Sequence, residues 1–205
     1  NLLKALYVKH PVRIDIAGTV DSISQITAEL LYDCYNTFYD LSNMFLILAG
    51  DFDPNEVADF VETHLKVPET PKINPASVLP EEPITVAQSR VTCKMDVAKP
   101  LFCIGFKESE MGKTPDAKQL ISMEIAMKML AGTASPLYKQ LLEEGLINEE
   151  FSMEYFTGRG FALPMFDGES DNPDRVLQLI LDRAEKMRTS ALDERLFEAI
   201  RRDLY

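Results

Sequence analysis

Histidine is nearly missing from this chain: 205 residues contain two, His10 and His64. Neither has a second histidine or a carboxylate three or four residues away, the spacing that sets two metal ligands on one helix face. That excludes a zinc site built from a local motif. A His-based nucleophilic triad is excluded too, because neither histidine stands beside a G-x-S-x-G turn or another nucleophile. Cysteine is scarce, with Cys34, Cys93 and Cys103 and no C-x-x-C pair, so a disulfide framework and a thiolate metal site both fall away. Their apolar surroundings predict reduced, buried thiols. Positive charge is also short: 21 Lys and Arg face 33 Asp and Glu, net −12, and the basic residues do not cluster. A nucleic-acid surface is therefore not expected. No apolar run approaches the roughly 20 residues that cross a bilayer, and Asn1 to His10 has neither the apolar core nor the cleavage site of a secretory signal. The expectation is a soluble, cytoplasmic protein. Gly158-Arg159-Gly160 lacks the following Lys-Ser or Lys-Thr of a phosphate loop and reads as a turn. Glu143, Glu144, Glu149 and Glu150 read as solvated charge, and Met123, Met127 and Met129 as ordinary core.

What is present centres on residues 43–65, NMFLILAGDFDPNEVADFVETHL. Met44 to Ala49 is apolar throughout and too short for a helix, which predicts a strand covered on both faces and stopped at Gly50-Asp51. Asp53 stands at the N-cap position, Pro54 at the first helical one, and Glu56 where it can reach back to the cap. The helix that follows aligns Val57, Phe60, Val61 and Leu65 on one side. Before this stretch, Leu2, Leu3, Leu6 and Tyr7 form a short helical stripe ended by His10-Pro11. Thr27 caps a helix whose predicted buried face is Leu30, Leu31, Cys34, Tyr35 and Phe38.

Five prolines, at 68, 71, 75, 80 and 83, then crowd a stretch with no glycine, which predicts a semi-rigid linker. The expected organisation is residues 1–66 as one unit, 67–83 as linker and 84–205 as a second unit. In the second, residues 84–97 are expected to pair antiparallel with 101–106. Thr114-Pro115 opens the longest helix, with Leu120, Ile121, Ile125, Met127 and Met129 inward, up to Gly132. Ser135-Pro136 opens another, closed by Gly145. Residues 151–155 and 161–166 form a strand pair, and Asn172-Pro173 and Ser190 with Asp193 start the last two helices. The predicted class is α+β, a mostly antiparallel sheet with helices packed on one face. No stop or cap signal marks either end, so the expectation is a piece of a longer polypeptide.

Several of these residues carry a resemblance. His10-Pro11, Gly18-Thr19, Tyr39 with Asn43-Met44, Ala49-Gly50-Asp51 and Asp53-Pro54 resemble, in order, the pattern of the pitrilysin and insulinase type of zinc peptidases, which carry an inverted H-x-x-E-H motif. Ser135 to Leu141 with Glu143, Gly145 and Leu146 is similar to a later segment of the same family. The match is nearest to the bacterial cytosolic, processing-peptidase-like branch. It implies a LuxS/processing-peptidase-like metallohydrolase fold: 1–66 as the end of a first peptidase-like domain, 84–205 as most of a second, metal-free copy. The family's zinc helix would precede Asn1, and its counterpart here, reading Ala117-Lys118-Gln119-Leu120-Ile121, has no histidine; the family arginine of the later segment is Leu142. The resemblance thus assigns this chain no catalytic and no metal-ligating residue and points to none that contacts substrate. Zinc is implied only for the catalytic domain of the parent zinc metalloendopeptidase. The implied role is a non-catalytic domain that encloses a peptide substrate against a catalytic domain of the same or a partner chain. The alternative is a catalytically dead scaffold subunit, as in respiratory-complex core proteins.

Overall fold

The computed structural model describes residues 1–66, 78–108 and 113–204. The chain divides into two compact units: residues 1–14 with 79–205, and residues 15–78. The expected grouping was 1–66, whereas the first fourteen residues pack with the later segment.

Among the described residues the sheet of the first unit is three-stranded and antiparallel, ordered β1-β3-β2, from β1 (Leu101–Gly105), β2 (Ser152–Gly158) and β3 (Phe161–Glu169). β2 and β3 form the expected hairpin. It turns at Gly158–Gly160, where Gly160 takes φ +75, and Gly158 pairs with Phe161. The expected pairing of β1 with residues 84–97 does not form. Instead Leu101 pairs with Glu169 and Gly105 with Met165. β3 is long enough to serve both neighbours, and its aromatic face offers Phe102 and Ile104 a burial that residues 84–97, with Ile84 and Val86 exposed, do not.

Side-chain alternation gives this sheet two working faces. On one, Phe102, Phe151 and Phe166 pack with Met127, Ala131, Leu137, Leu141, Val176 and Ile180. These come from α5 (Ala117–Ala131), α6 (Pro136–Glu143) and α7 (Pro173–Thr189). α8 (Glu194–Asp203) packs on α5. On the other face, Phe161 and Leu163 meet Leu6 and Tyr7, with Leu2, Leu3, Val12, Phe156 and Met165 around them. That cover is the N-terminal strap: α1 (Leu2–Leu6) and the 3-10 turn Pro11–Arg13. Gly105 makes room for it, since a Cβ there would lie 2.9 Å from Leu6 and 3.0 Å from Leu2.

The caps follow the local sequence closely. Ser135, Asn172 and Asp193 accept from the amides of Tyr138, Arg175 and Leu196, with Pro136 and Pro173 opening their helices. α5 starts two residues later than Thr114-Pro115 suggests, because Asp116 and Gln119 form a reciprocal capping box. Thr114 instead accepts from the amide of Gly160, 3.3 Å away. Within α5 only Met127, Met129 and Ala131 are buried, while Leu120 and Ile121 are exposed.

The second unit contains α2 (Val20–Ser24), α3 (Ala28–Phe38) and α4 (Pro54–His64). Thr27 and Asp53 cap α3 and α4 as expected, although Asp53 bonds the Asn55 amide and Glu56 completes no box. Two expectations fail here. Met44 to Ala49 forms no strand, and the predicted inner faces of α3 and α4 are not buried: Leu31 is 59% and Phe60 62% exposed, and no described residue of this unit is buried. An extended apolar segment becomes a strand only when paired with another, and no other described residue of this unit forms one. The three thiols are free but exposed, against the expectation of burial.

Candidate functional site

His10 is 4% exposed, its ring against Tyr7 and Phe161. Its Nδ1 accepts from the Val12 amide at 3.1 Å, so Nε2 carries the proton and donates to the Arg159 carbonyl, also at 3.1 Å. Both ring nitrogens are engaged, Nδ1 within the strap and Nε2 in holding the strap on the β2–β3 turn. His64 lies exposed on α4, bonded to the Phe60 carbonyl and stacked on the Phe60 ring. Among the described residues no three His, Cys, Asp or Glu side chains gather as metal ligands. The helix matching the zinc helix of the resembled family contributes Lys118, Gln119 and Leu120, a donor set that does not fit zinc. A zinc titration of the whole chain is expected to show no stoichiometric site, and His10→Ala or His64→Ala to leave that result unchanged; one tight zinc per chain by metal analysis would contradict it.

The charged residues singled out in sequence are dispersed. Glu143 pairs with Lys139 at 3.7 Å and Glu144 with Arg175 at 3.8 Å, all exposed, which contributes little to stability. The polar grouping that the structure does assemble was hidden in the linker sequence. The Glu82 carboxylate accepts from three successive amides, Val8 (2.7 Å), Lys9 (2.6 Å) and His10 (2.7 Å), and from Lys107 Nζ at 2.6 Å. Both partners of the Glu82–Lys107 ion pair are 2% exposed. Lys107 also donates to the Thr85 carbonyl and lies 5.0 Å over the Tyr7 ring. Burial and the nearby Glu82 and Glu108 carboxylates push the Tyr7 hydroxyl up to about 12. Tyr155 is raised as well, by burial and by donating to Glu108.

Concavities accompany the sheet among the described residues. One, of about 330 Å³, is lined almost wholly by apolar groups of α5, α7 and the sheet, including Phe106, Met123, Leu130, Phe166 and Met187. The other, of about 300 Å³, runs between α5 and β2, lined by Leu120, Glu124, Met127, Lys128, Met153 and Tyr155. Lys128 is drawn aside to Asp203 at 3.1 Å. β2 is an end strand, with β3 as its one hydrogen-bonded neighbour among the described residues. The groove therefore borders a row of backbone donors and acceptors that an extended peptide could pair with.

Residues 25–204 match the family model described as the peptidase M16 inactive domain. The chain belongs to the M16 peptidase family. Within it, the chain is 37% identical over 184 residues to the uncharacterized zinc protease YmfH of Bacillus subtilis (strain 168), covering 87% of this chain and 42% of that protein. Presequence protease 1, chloroplastic/mitochondrial, of Arabidopsis thaliana is 25% identical over 208 residues, 96% of this chain and 19% of the plant protein. A crystal structure of an M16-like peptidase from Alicyclobacillus acidocaldarius superposes with a TM-score of 0.83 at 37% identity, covering 99% of this chain and 48% of that one. The chain thus spans less than half the length of the curated relatives it matches. The M16 resemblance and the α+β fold both hold.

Proposed function

We propose that this M16 chain is the substrate-enclosing, non-catalytic part of a zinc-dependent endopeptidase that acts on peptides. The zinc and the activated water would come from a catalytic domain on the same or a partner chain, in a cytoplasmic protein. The observation that carries the reading is an inactive-domain sequence together with a β2 edge, beside the α5 groove, that no described residue pairs with. A peptide laid along that edge would gain backbone hydrogen bonds at every second residue and place side chains alternately into the groove. Glu124 on the groove wall, with Lys128 turned to Asp203, favours basic side chains there.

Fluorescence anisotropy with an extended basic peptide tests this in the presence of the catalytic partner. Leu120→Arg, an exposed substitution in the groove, is expected to weaken binding at least tenfold while leaving the unfolding transition in place. Equal binding by both proteins would overturn the groove assignment. A second reading, a catalytically dead scaffold of the same fold, is favoured by the second unit, whose apolar side chains such as Phe45 and Ile47 stand 86% and 78% exposed and so call for a large covering surface. Peptide cleavage by the full-length protein decides between the two.

A further inference from the structure

The chain leaves the first unit between Ile14 and Asp15 and returns to it between Val78 and Leu79. Four residues before the exit, three amides of the strap end on one carboxylate, and that carboxylate belongs to Glu82, three residues after the return. At no more than about 3.8 Å between successive Cα atoms, both crossing points lie within roughly 20 Å of this one side chain. The carboxylate is completed by Lys107, which follows β1 and so belongs to the body of the sheet. Outgoing arm, returning arm and sheet meet at a single buried ion.

We infer that Glu82 is a staple that fixes the two chain crossings to the sheet as one root, so that residues 1–14 remain a working part of the first unit whatever happens to residues 15–78. Three features besides the carboxylate support the strap as a structural member of that unit. Leu6 and Tyr7 are 5% and 0% exposed against Phe161 and Leu163. The Ala5 carbonyl accepts from the Gln88 amide at 2.8 Å, tying the strap a second time to the returning arm. His10 ties it a third time, to the turn at Arg159. A load on the second unit would then reach the sheet through a clamped base and leave its far face covered.

Amide hydrogen exchange on the full chain tests the staple. The second unit, with no buried described residue, is expected to open at low urea. At a urea concentration where its amides exchange freely, those of Val8, Lys9 and His10 are expected to stay protected together with those of β3. Loss of protection at 8–10 along with residues 15–66 would overturn the inference. Glu82→Gln, which keeps an acceptor and the shape, is expected to speed exchange at Val8, Lys9 and His10 about tenfold. The double variant Glu82→Ala with Lys107→Met, which leaves no buried cation behind, is expected to speed it at least thirtyfold and to open tryptic cleavage after Lys9 and Arg13. In both variants β3 and α7 amides are expected to stay within about threefold of the parent. Unchanged protection at 8–10 in the double variant, or equal acceleration throughout the first unit, would refute a local staple.

Discussion

Glu82→Ala is expected to lower the free energy that opens the strap at residues 8–10 by about 3–5 kcal/mol, because it strands a cation 2% exposed and orphans three amides at once. Lys107→Met should cost less than half as much, since Glu82 keeps its three amide donors and loses only the ion. The asymmetry separates a staple from an ordinary ion pair, in which either deletion would weigh equally. Amide exchange at Val8, Lys9 and His10 measures both. Acid provides a second test. Burial raises the Glu82 carboxyl, but Lys107 and the three amides outweigh it and hold the group at about 2, against an ordinary 4.5. The folded value is the depressed one, so the stabilisation is complete above about pH 4.5 and drains away as pH falls towards 2, amounting to about 3 kcal/mol. Glu82→Gln should flatten that part of the stability profile; a parent profile equally flat from pH 4.5 to 2 would contradict the assignment.

The second large effect concerns β3, whose two faces serve different partners. Phe166 is 1% exposed in the cluster beneath α5, α6 and α7, and Phe166→Ala is expected to cost about 3–5 kcal/mol through the cavity it leaves. Leu163, 0% exposed, faces the strap instead, and Leu163→Ala is expected to cost about 2–5 kcal/mol. The patterns of damage should differ. Losing Phe166 loosens α5 and α7 together with the sheet, whereas losing Leu163 first releases residues 1–14 and raises exchange at Val8 to His10 before anything under α5. Exchange maps of the two variants that coincide would show that the strap and the helices form one cooperative layer.

What could be read in advance was whatever is decided within a few residues. Asp53-Pro54, Ser135-Pro136 and Asn172-Pro173 each place an acceptor and a missing donor where a helix begins, and all three helices start there. The β2–β3 hairpin was legible because its glycines permit the turn that its strands require. Pairing choices were not legible. β1 stands four residues from the nearest predicted strand, yet it joins β3 sixty or more positions away, because burial against Phe166 outweighs proximity. Met44 to Ala49 carried the strongest strand signal and forms none, since periodicity reports what a segment can bury and not whether a neighbour is there. The site was least visible. Glu82 sits beside a proline in a stretch that reads as spacer, and its partners, Val8 to His10 and Lys107, lie 72 to 74 positions back and 25 ahead. Nothing local marks it.

Residues 44–49 read Met-Phe-Leu-Ile-Leu-Ala, six positions with no charge, proline or glycine, and all lie open to solvent. Such a hexapeptide can stack on copies of itself. During synthesis it leaves the ribosome well before the sheet-forming residues 101–169, so the nascent polypeptide carries an adhesive stretch until those residues follow. Chaperone engagement would be most useful in that interval, and the acidic residues that give the chain its net −12 supply the mutual repulsion that holds unshielded copies apart.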